Sequence, residues 1–276
     1  MSDLQNELTE TIRRFTVEST SNRLPKIDNS PIYDEPLVGF ANGDDPLFEL
    51  YRSVVGDFHR APRQVLGLAD DPFVSVVVWV LPISKATRLS NRVMKEGCSL
   101  RWNHTRFLGE DFNDELRRMV VQFLEERGFK AAAPVLMESY QQVALQNGPA
   151  SSWSERHAAY AAGLGTFSLS DGLITQRGIA HRVGSVVCNA PFEPTARAYS
   201  QYQEYCTYRR DGSCGICMQR CPAGAISAAG HNKMLCEQYL KQTLKPWLQK
   251  PGYMGAGYIG CGLCQTAVPC EHKIPR

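Results

Sequence analysis

The sequence predicts an α+β protein in two parts: an α/β domain over residues 1–195, then a small cysteine-rich module over residues 196–276. Three observations lead there. Helical and strand periodicities alternate up to about residue 195 without an internal repeat, as a layered α/β or α+β domain requires. Eight of the ten cysteines fall between Cys206 and Cys270. The composition, 43% hydrophobic and 21% charged with a net charge of +2, is that of an ordinary globular chain. Such a charge balance offers no general field for nucleic acid or an anionic membrane.

Each element has a local reason. Leu4, Leu8, Ile12 and Phe15 recur at helical spacing, with Ser2 and Gln5 placed as a capping box. The stretch 22–45 is rich in Pro, Asn, Asp and Gly and reads as a long surface loop. The β-branched run from Phe73 to Leu81, closed by Pro82, suits a central strand covered on both faces. It is too short to span a bilayer. Phe112, Leu116, Met119, Val120, Phe123 and Leu124 form an apolar helical stripe that Gly128 can stop. A short strand is expected over Ala133–Met137, a helix from Ser154 to Gly163, and a hairpin turning at Asp171-Gly172. A last strand is expected over Arg182–Cys188. The N-terminal segment is polar and has no apolar core of a secretion signal. The expected compartment is therefore the reducing cytoplasm, with no membrane partner, where clustered cysteines hold metal rather than form disulfides.

The run Cys214-x2-Cys217-x3-Cys221-Pro222 is most of the bacterial ferredoxin pattern. Cys206 can supply the missing upstream ligand, and Cys236, Cys261, Cys264 and Cys270 make a second set. Eight ligands suit two [4Fe-4S] clusters in a ferredoxin-like module. By the crossed ferredoxin pattern, Cys206, Cys214, Cys217 and Cys270 hold one cluster, and Cys221, Cys236, Cys261 and Cys264 the other. A structural zinc between two CxxC knuckles is the alternative. Cys98 and Cys188 are left over, the first in a loop and the second as packing.

The chain resembles the epoxyqueuosine reductase family, iron–sulfur relatives of the reductive dehalogenases. The helix led by Glu155 and ending in Ala162-Gly163-Leu164-Gly165 is similar to that family's glutamate-led helix. So are the strand Phe73–Pro82, the segment Arg101–Phe123, Cys236-Glu-Gln-Tyr-Leu and Gly260-Cys261-Gly-Leu-Cys264-Gln265. The resemblance implies a nitroreductase-like α/β domain that binds cobalamin, fed with electrons by the two clusters and ultimately by an external donor such as a ferredoxin or flavodoxin. It also implies reductive chemistry on a small or unidentified substrate.

Departures from the family pattern matter to the substrate. The place of the family's acidic aspartate falls at Pro149, the segment after Gly165 reads Thr-Phe-Ser-Leu-Ser-Asp171, and Cys270 is followed by glutamate. The family's further helical-repeat region, which grips tRNA, has no counterpart in this sequence. A tRNA substrate is therefore not expected. Asp171 is the candidate replacement acid and otherwise a turn residue; Glu155 is a candidate for cofactor or substrate contact and otherwise complements the helix dipole. Gly163, Leu164 and Gly165 are candidate corrinoid contacts, since glycine permits close approach of a flat ligand. Arg177 and His181, beside Arg182, form a basic cluster that could meet corrin amides or a carboxylate. Two rivals remain: an electron-transfer protein without a corrinoid, and a corrinoid-handling reductase with no substrate of its own.

Overall fold

The computed structural model describes residues 3–68, 70–255 and 259–276. In chain order it contains α1 (Asp3–Glu18), β1 (Leu37–Asn42), α2 (Leu47–Val55), α3 (Pro62–Leu66), β2 (Ser75–Pro82), α4 (Lys85–Arg92) and α5 (Leu100–Glu125). Next come β3 (Ala131–Ala132), β4 (Gln142–Leu145), β5 (Gly148–Ser151), α6 (Glu155–Ala161), β6 (Gly165–Phe167), β7 (Leu173–Thr175) and β8 (His181–Cys188). The cysteine-rich stretch adds α7 (Thr207–Asp211), α8 (Ile216–Arg220), β9 (Ile226–Ser227), β10 (Gly230–His231) and α9 (Lys233–Gln238). Ser2 of the expected capping box lies outside the described residues.

The β-branched run forms β2, and all of its residues are buried. It pairs antiparallel with β1 and with β8, and β3 closes the far edge in the order β1-β2-β8-β3. The period of two divides β2 between two cores. Val77, Trp79 and Leu81 face a core shared with Leu8 and Ile12 of α1 and Phe112, Leu116, Val120 and Leu124 of α5. Val76, Val78 and Val80 face the other, with Ala158 and Ala159 of α6, Phe48, Tyr51 and Trp153. A helical layer therefore lies on each face of the sheet, as the unbroken apolar run predicts.

Two expectations are corrected. The stretch 22–45 is not all loop: Leu37–Asn42 is the edge strand β1, a short apolar segment hidden by the turn residues around it. The rest of that stretch is ordered by Asn22, which donates to the carbonyls of Thr16 (2.7 Å) and Tyr33 (3.1 Å) and accepts from the Tyr33 N–H (2.9 Å). Ala133–Met137 is not a strand. Pro134 has no N–H to give a ladder, and Pro134–Leu136 forms a single 3-10 turn after the two-residue β3.

After α9 the chain returns to the first core. Tyr239, Leu244, Trp247 and Ile259 pack there with Cys98. The Asn103 amide and the Met254 backbone exchange two hydrogen bonds of 2.8 and 2.7 Å. A third, smaller core holds Leu169, Ile174, Ile179, Cys206, Ile226 and Val268. Among the described residues, no helix is long and apolar enough to cross a membrane.

Candidate iron–sulfur centre

Short elements set out the cysteines. Cys206 caps α7, Cys217 lies within α8 and Cys221 ends it, Cys236 lies within α9, and Cys264 sits in a 3-10 turn over Leu263–Gln265. The first domain pins this module at several points. The backbone N–H groups of Ile179 and Ala180, leading into β8, donate to the carbonyls of Cys270 (2.8 Å) and Glu271 (3.2 Å). Asn91 donates to the Cys261 carbonyl (3.0 Å), and Arg220 donates back to the Met94 carbonyl (2.9 Å). Gly262 has φ 62°, and a Cβ there would stand 2.0 Å from the Trp102 indole. The Cys261–Cys264 turn is thus seated directly on α5.

The thiols group by their mutual electrostatics. Cys217 is pushed up to about 11, by burial first and then by Cys206 and Cys214. Cys270 is pushed up to about 12 by burial, then by Cys217, Cys206 and Cys214. Cys236 is pushed up to about 12 by burial, then by Cys261 and Cys221. Cys264 is raised well above its ordinary value by burial and by Cys261, Cys236, Cys221 and, last, Cys217. Cys217 and Cys270 thus have Cys206 and Cys214 as thiol neighbours, Cys236 and Cys264 have Cys261 and Cys221, and Cys264 also feels Cys217. A small hollow of ≈ 20 Å³ is lined by Cys206, Cys214, Cys217, Cys264 and Cys270, with Ile174 and Ile179 on its apolar wall. Soft sulfur donors that repel one another when ionised fit iron, whose positive charge offsets that repulsion. Among the described residues, no three His, Cys, Asp or Glu side chains meet as ligands of one metal ion.

Cys98 and Cys188 are buried in the first core and pushed up to about 12 mainly by burial, with Cys261 a neighbour of Cys98. Glu271 was not anticipated as a site residue. It is 1% exposed, receives Arg92 on both oxygens (2.8 and 2.9 Å), and lies 3.4 Å from Arg88. It also accepts the Ala267 N–H at 2.7 Å. The only sequence signal was its place directly after Cys270, where the family pattern differs.

Glu155 opens α6 and turns into the protein. Arg117 Nη2 lies 3.1 Å from it, and the Ser185 hydroxyl donates to it while accepting from Trp153 Nε1 (2.9 Å). Burial raises its carboxyl, and Arg117 and Ser185 draw it back. Arg117 also meets Glu110 (3.0 Å) and Asp114 (2.6 Å), so Glu155 fastens α6 to α5 and β8.

Asp171 forms the expected turn of the β6–β7 hairpin, with φ 58°. Its Oδ2 lies 3.3 Å from His231 Nδ1 on β10, and Arg156 donates to its main-chain carbonyl. Burial raises its carboxyl, but His231, Arg156 and Lys233 together hold it below the usual carboxylate range. It is therefore a carboxylate facing a histidine across the junction with the module.

The glycines have another cause than the expected ligand. A Cβ on Gly163 would meet the Ala196 carbonyl at 2.9 Å, and one on Gly165 the Ile174 carbonyl at 2.2 Å. Leu164 is buried against Gly39. The space beside these residues is filled by the chain itself, which corrects the reading of an open face there. Arg177 is exposed in the Thr175–Gly178 turn, its N–H on Thr175 Oγ1 (3.1 Å). His181 is 9% exposed, with Nε2 2.7 Å from the Leu173 carbonyl and Nδ1 buried with no partner among the described residues. The structure brings Glu155, Asp171 and His181 around α6 and leaves Arg177 outside.

Burial lowers His59 and His181 to about 4 and His157 to about 3. An unfolded histidine titrates near 6.5, so below that pH the unfolded chain binds more protons than the folded one. Their contribution is complete above pH 6.5 and is lost as pH falls toward the folded values. Denaturant titrations of the wild type should lose about 2 kcal/mol per histidine on going from neutral to about pH 5. His157→Phe should lose less, provided the aromatic contacts with Tyr51 and Phe167 are kept.

No protein-family profile matches the chain. It is 27% identical over 280 aligned residues to epoxyqueuosine reductase of Bacillus subtilis, an alignment covering 96% of this chain and 63% of that protein. A solved structure of epoxyqueuosine reductase from Bacillus subtilis superposes with a TM-score of 0.54 at 17% identity, covering 99% of this chain and 66% of that one. A catabolic reductive dehalogenase gives a TM-score of 0.54 at 13% identity, covering 99% of this chain and 37% of that one. The resemblance read from the motifs thus extends over nearly the whole chain, and the mixed α/β fold is similar to both. The chain spans about two thirds of the length of the epoxyqueuosine reductases it matches.

Proposed function

We propose that the chain is an iron–sulfur reductase that works with cobalamin: a cofactor domain over residues 1–195 and a ferredoxin-like module over residues 196–276. Cys206, Cys214, Cys217 and Cys270 hold one [4Fe-4S] cluster, and Cys221, Cys236, Cys261 and Cys264 the other. The observation that carries this reading is the four-and-four grouping of the thiols against the first domain. Bound clusters supply single electrons from an external donor, and bound cobalamin supplies the cobalt centre for reductive chemistry. A corrinoid would be held where the first domain meets the module, by residues of α6 and the Asp171 turn; the space at Gly163–Gly165 is filled by the chain itself. Here Glu155 and Arg117 fix α6, Trp102 backs the Cys261–Cys264 turn, and the Asp171–His231 pair can hold a proton at the junction.

The substrate we infer is an unidentified small molecule. One solved relative is an epoxyqueuosine reductase with a stem loop of epoxyqueuosine-modified tRNA. In this chain the matching acid position is Pro149, paired with Ala144 in the β4–β5 hairpin, and no carboxylate stands there.

Titration of anaerobically reconstituted protein with cobalamin tests the reading. The corrin spectrum should shift to the base-off form, since no histidine stands in a recognisable corrinoid-ligand motif. No binding at high micromolar cobalamin, with both clusters intact, would exclude the corrinoid and leave an electron-transfer protein.

A further inference from the structure

A depression of ≈ 410 Å³ lies on the module, with Thr207, Cys214, Gly215, Pro269 and Pro275 in its lining. Ser213, Gln219 and Arg276 also line it and are exposed, so it faces solvent. The first five residues line the small hollow of Cys206, Cys217, Cys264 and Cys270 as well. A wall one residue thick therefore separates the first set of thiols from the outside, and Cys214 is part of that wall. The second set faces the other way. The Cys261 carbonyl accepts from Asn91, and Gly262 is pressed on Trp102 of α5. Cys261 itself packs against the core shared with α1 and α5. One set of thiols is turned to the first domain and the other to this depression.

The depression has a positive surround. The segments that line it, 206–219 and 268–276, carry Arg209, Arg210, Lys273 and Arg276, all exposed. Their carboxylates are Asp211 and Glu271. Asp211 is spent on Arg210 at 2.9 Å, and Glu271 is 1% exposed and held by Arg92. Four exposed cations against one exposed carboxylate leave an excess of three, where the whole 276-residue chain has a net charge of +2. Among the described residues no carboxylate lies within 4.0 Å of the Arg209, Lys273 or Arg276 side chain, and Arg209 meets the Ala228 carbonyl at 3.4 Å. Ile216, Met218 and the two prolines are the apolar part of the lining.

We propose that this depression is the docking surface for a small acidic protein that carries single electrons, and that electrons enter the chain there, at the set of Cys206, Cys214, Cys217 and Cys270. The inference rests on the iron–sulfur reading above and extends it by naming the entry face and the charge of the donor. One electron leaves the donor's reduced centre and reduces the first cluster, and no covalent bond forms or breaks. An apolar lining framed by unpaired cations suits a brief complex, guided into register by opposite charge and released after transfer.

The test uses the full chain purified without oxygen. Photoreduced flavodoxin, an acidic protein, is the probe, and reduced methyl viologen, a small cation, is the control. Stopped-flow absorbance reads flavin oxidation and cluster bleaching. Reduction by flavodoxin should slow as salt rises, because screening removes the attraction. Lys273→Glu combined with Arg276→Glu should slow it about tenfold at low salt and flatten its salt dependence, as expected when charge steers the encounter. Methyl viologen should reduce this variant at least as fast as the wild type, at equal iron content, which separates a lost docking charge from a damaged cluster. Arg118→Glu combined with Lys130→Glu, both exposed on the first domain, makes the same change in net charge and should leave the flavodoxin rate as in the wild type. Equal slowing by the two pairs, or a flavodoxin rate independent of salt, would overturn the proposal. Clusters that methyl viologen reduces and flavodoxin does not would also overturn it and leave the iron–sulfur reading standing. A wild type without iron would overturn that reading instead. Calorimetric binding of oxidised flavodoxin, which needs no cluster, then decides the surface: loss of binding in the Lys273–Arg276 variant supports it, and binding unchanged or absent from the wild type overturns it.

Discussion

Replacing Cys264 with Ser is expected to remove one whole cluster, about four irons, and to leave the other. Cys264 is electrostatically coupled to Cys261, Cys236 and Cys221 before Cys217, so its loss opens the second set. Double variants separate the crossed grouping from a sequential one. If the grouping is crossed, Cys221→Ser combined with Cys264→Ser loses no more iron than either alone. Cys217→Ser combined with Cys221→Ser loses both clusters. A sequential grouping reverses the two results. Cys98→Ser and Cys188→Ser should keep all the iron, because both thiols belong to the sheet's cores and not to the module. Iron and sulfide analysis with low-temperature electron paramagnetic resonance reads every variant. Loss of a cluster should also lower stability, because ligand binding to the folded module is folding free energy.

The second large effect is expected at Glu271. Its carboxylate is almost wholly enclosed and answers two arginines of α4, one of them only 10% exposed. Glu271→Ala leaves these cations without their partner. A buried pair broken on one side typically costs about 3–5 kcal/mol, and the partial exposure of Arg92 favours the lower end. The chain next to Cys270 would also lose its anchor, so the variant should release iron faster under a chelator. Denaturant unfolding and chelation kinetics measure the two effects. Glu271→Gln, which keeps the hydrogen-bonding shape, should recover part of both. Unchanged stability in Glu271→Ala would show that the module is held by its other contacts alone.

The parts of this protein that were legible in its sequence are those with a local cause. The β-branched run of β2 announces a strand covered on both faces, and the Leu4–Phe15 and Phe112–Leu124 periodicities announce α1 and α5. Cys214-x2-Cys217-x3-Cys221-Pro announces a loop that brings its thiols together, because short spacing alone lets them approach one another. The parts that were missed depend on partners distant in sequence. Leu37–Asn42 becomes a strand only because β2 offers an edge. Gly163 and Gly165 are glycines because Ala196 and Ile174 press on them, which a ligand-based reading of the motif could not distinguish. His231 and Arg156 gain meaning only when α6 and the β9–β10 hairpin meet at Asp171, and Glu271 only when α4 folds over it.

The most direct test of the account is metal and sulfide analysis of the full chain purified without oxygen. The account predicts about eight iron and eight acid-labile sulfide per chain, with a broad absorption near 400 nm that bleaches on reduction. About one zinc per chain and no sulfide, persisting after anaerobic reconstitution with iron and sulfide, would contradict it.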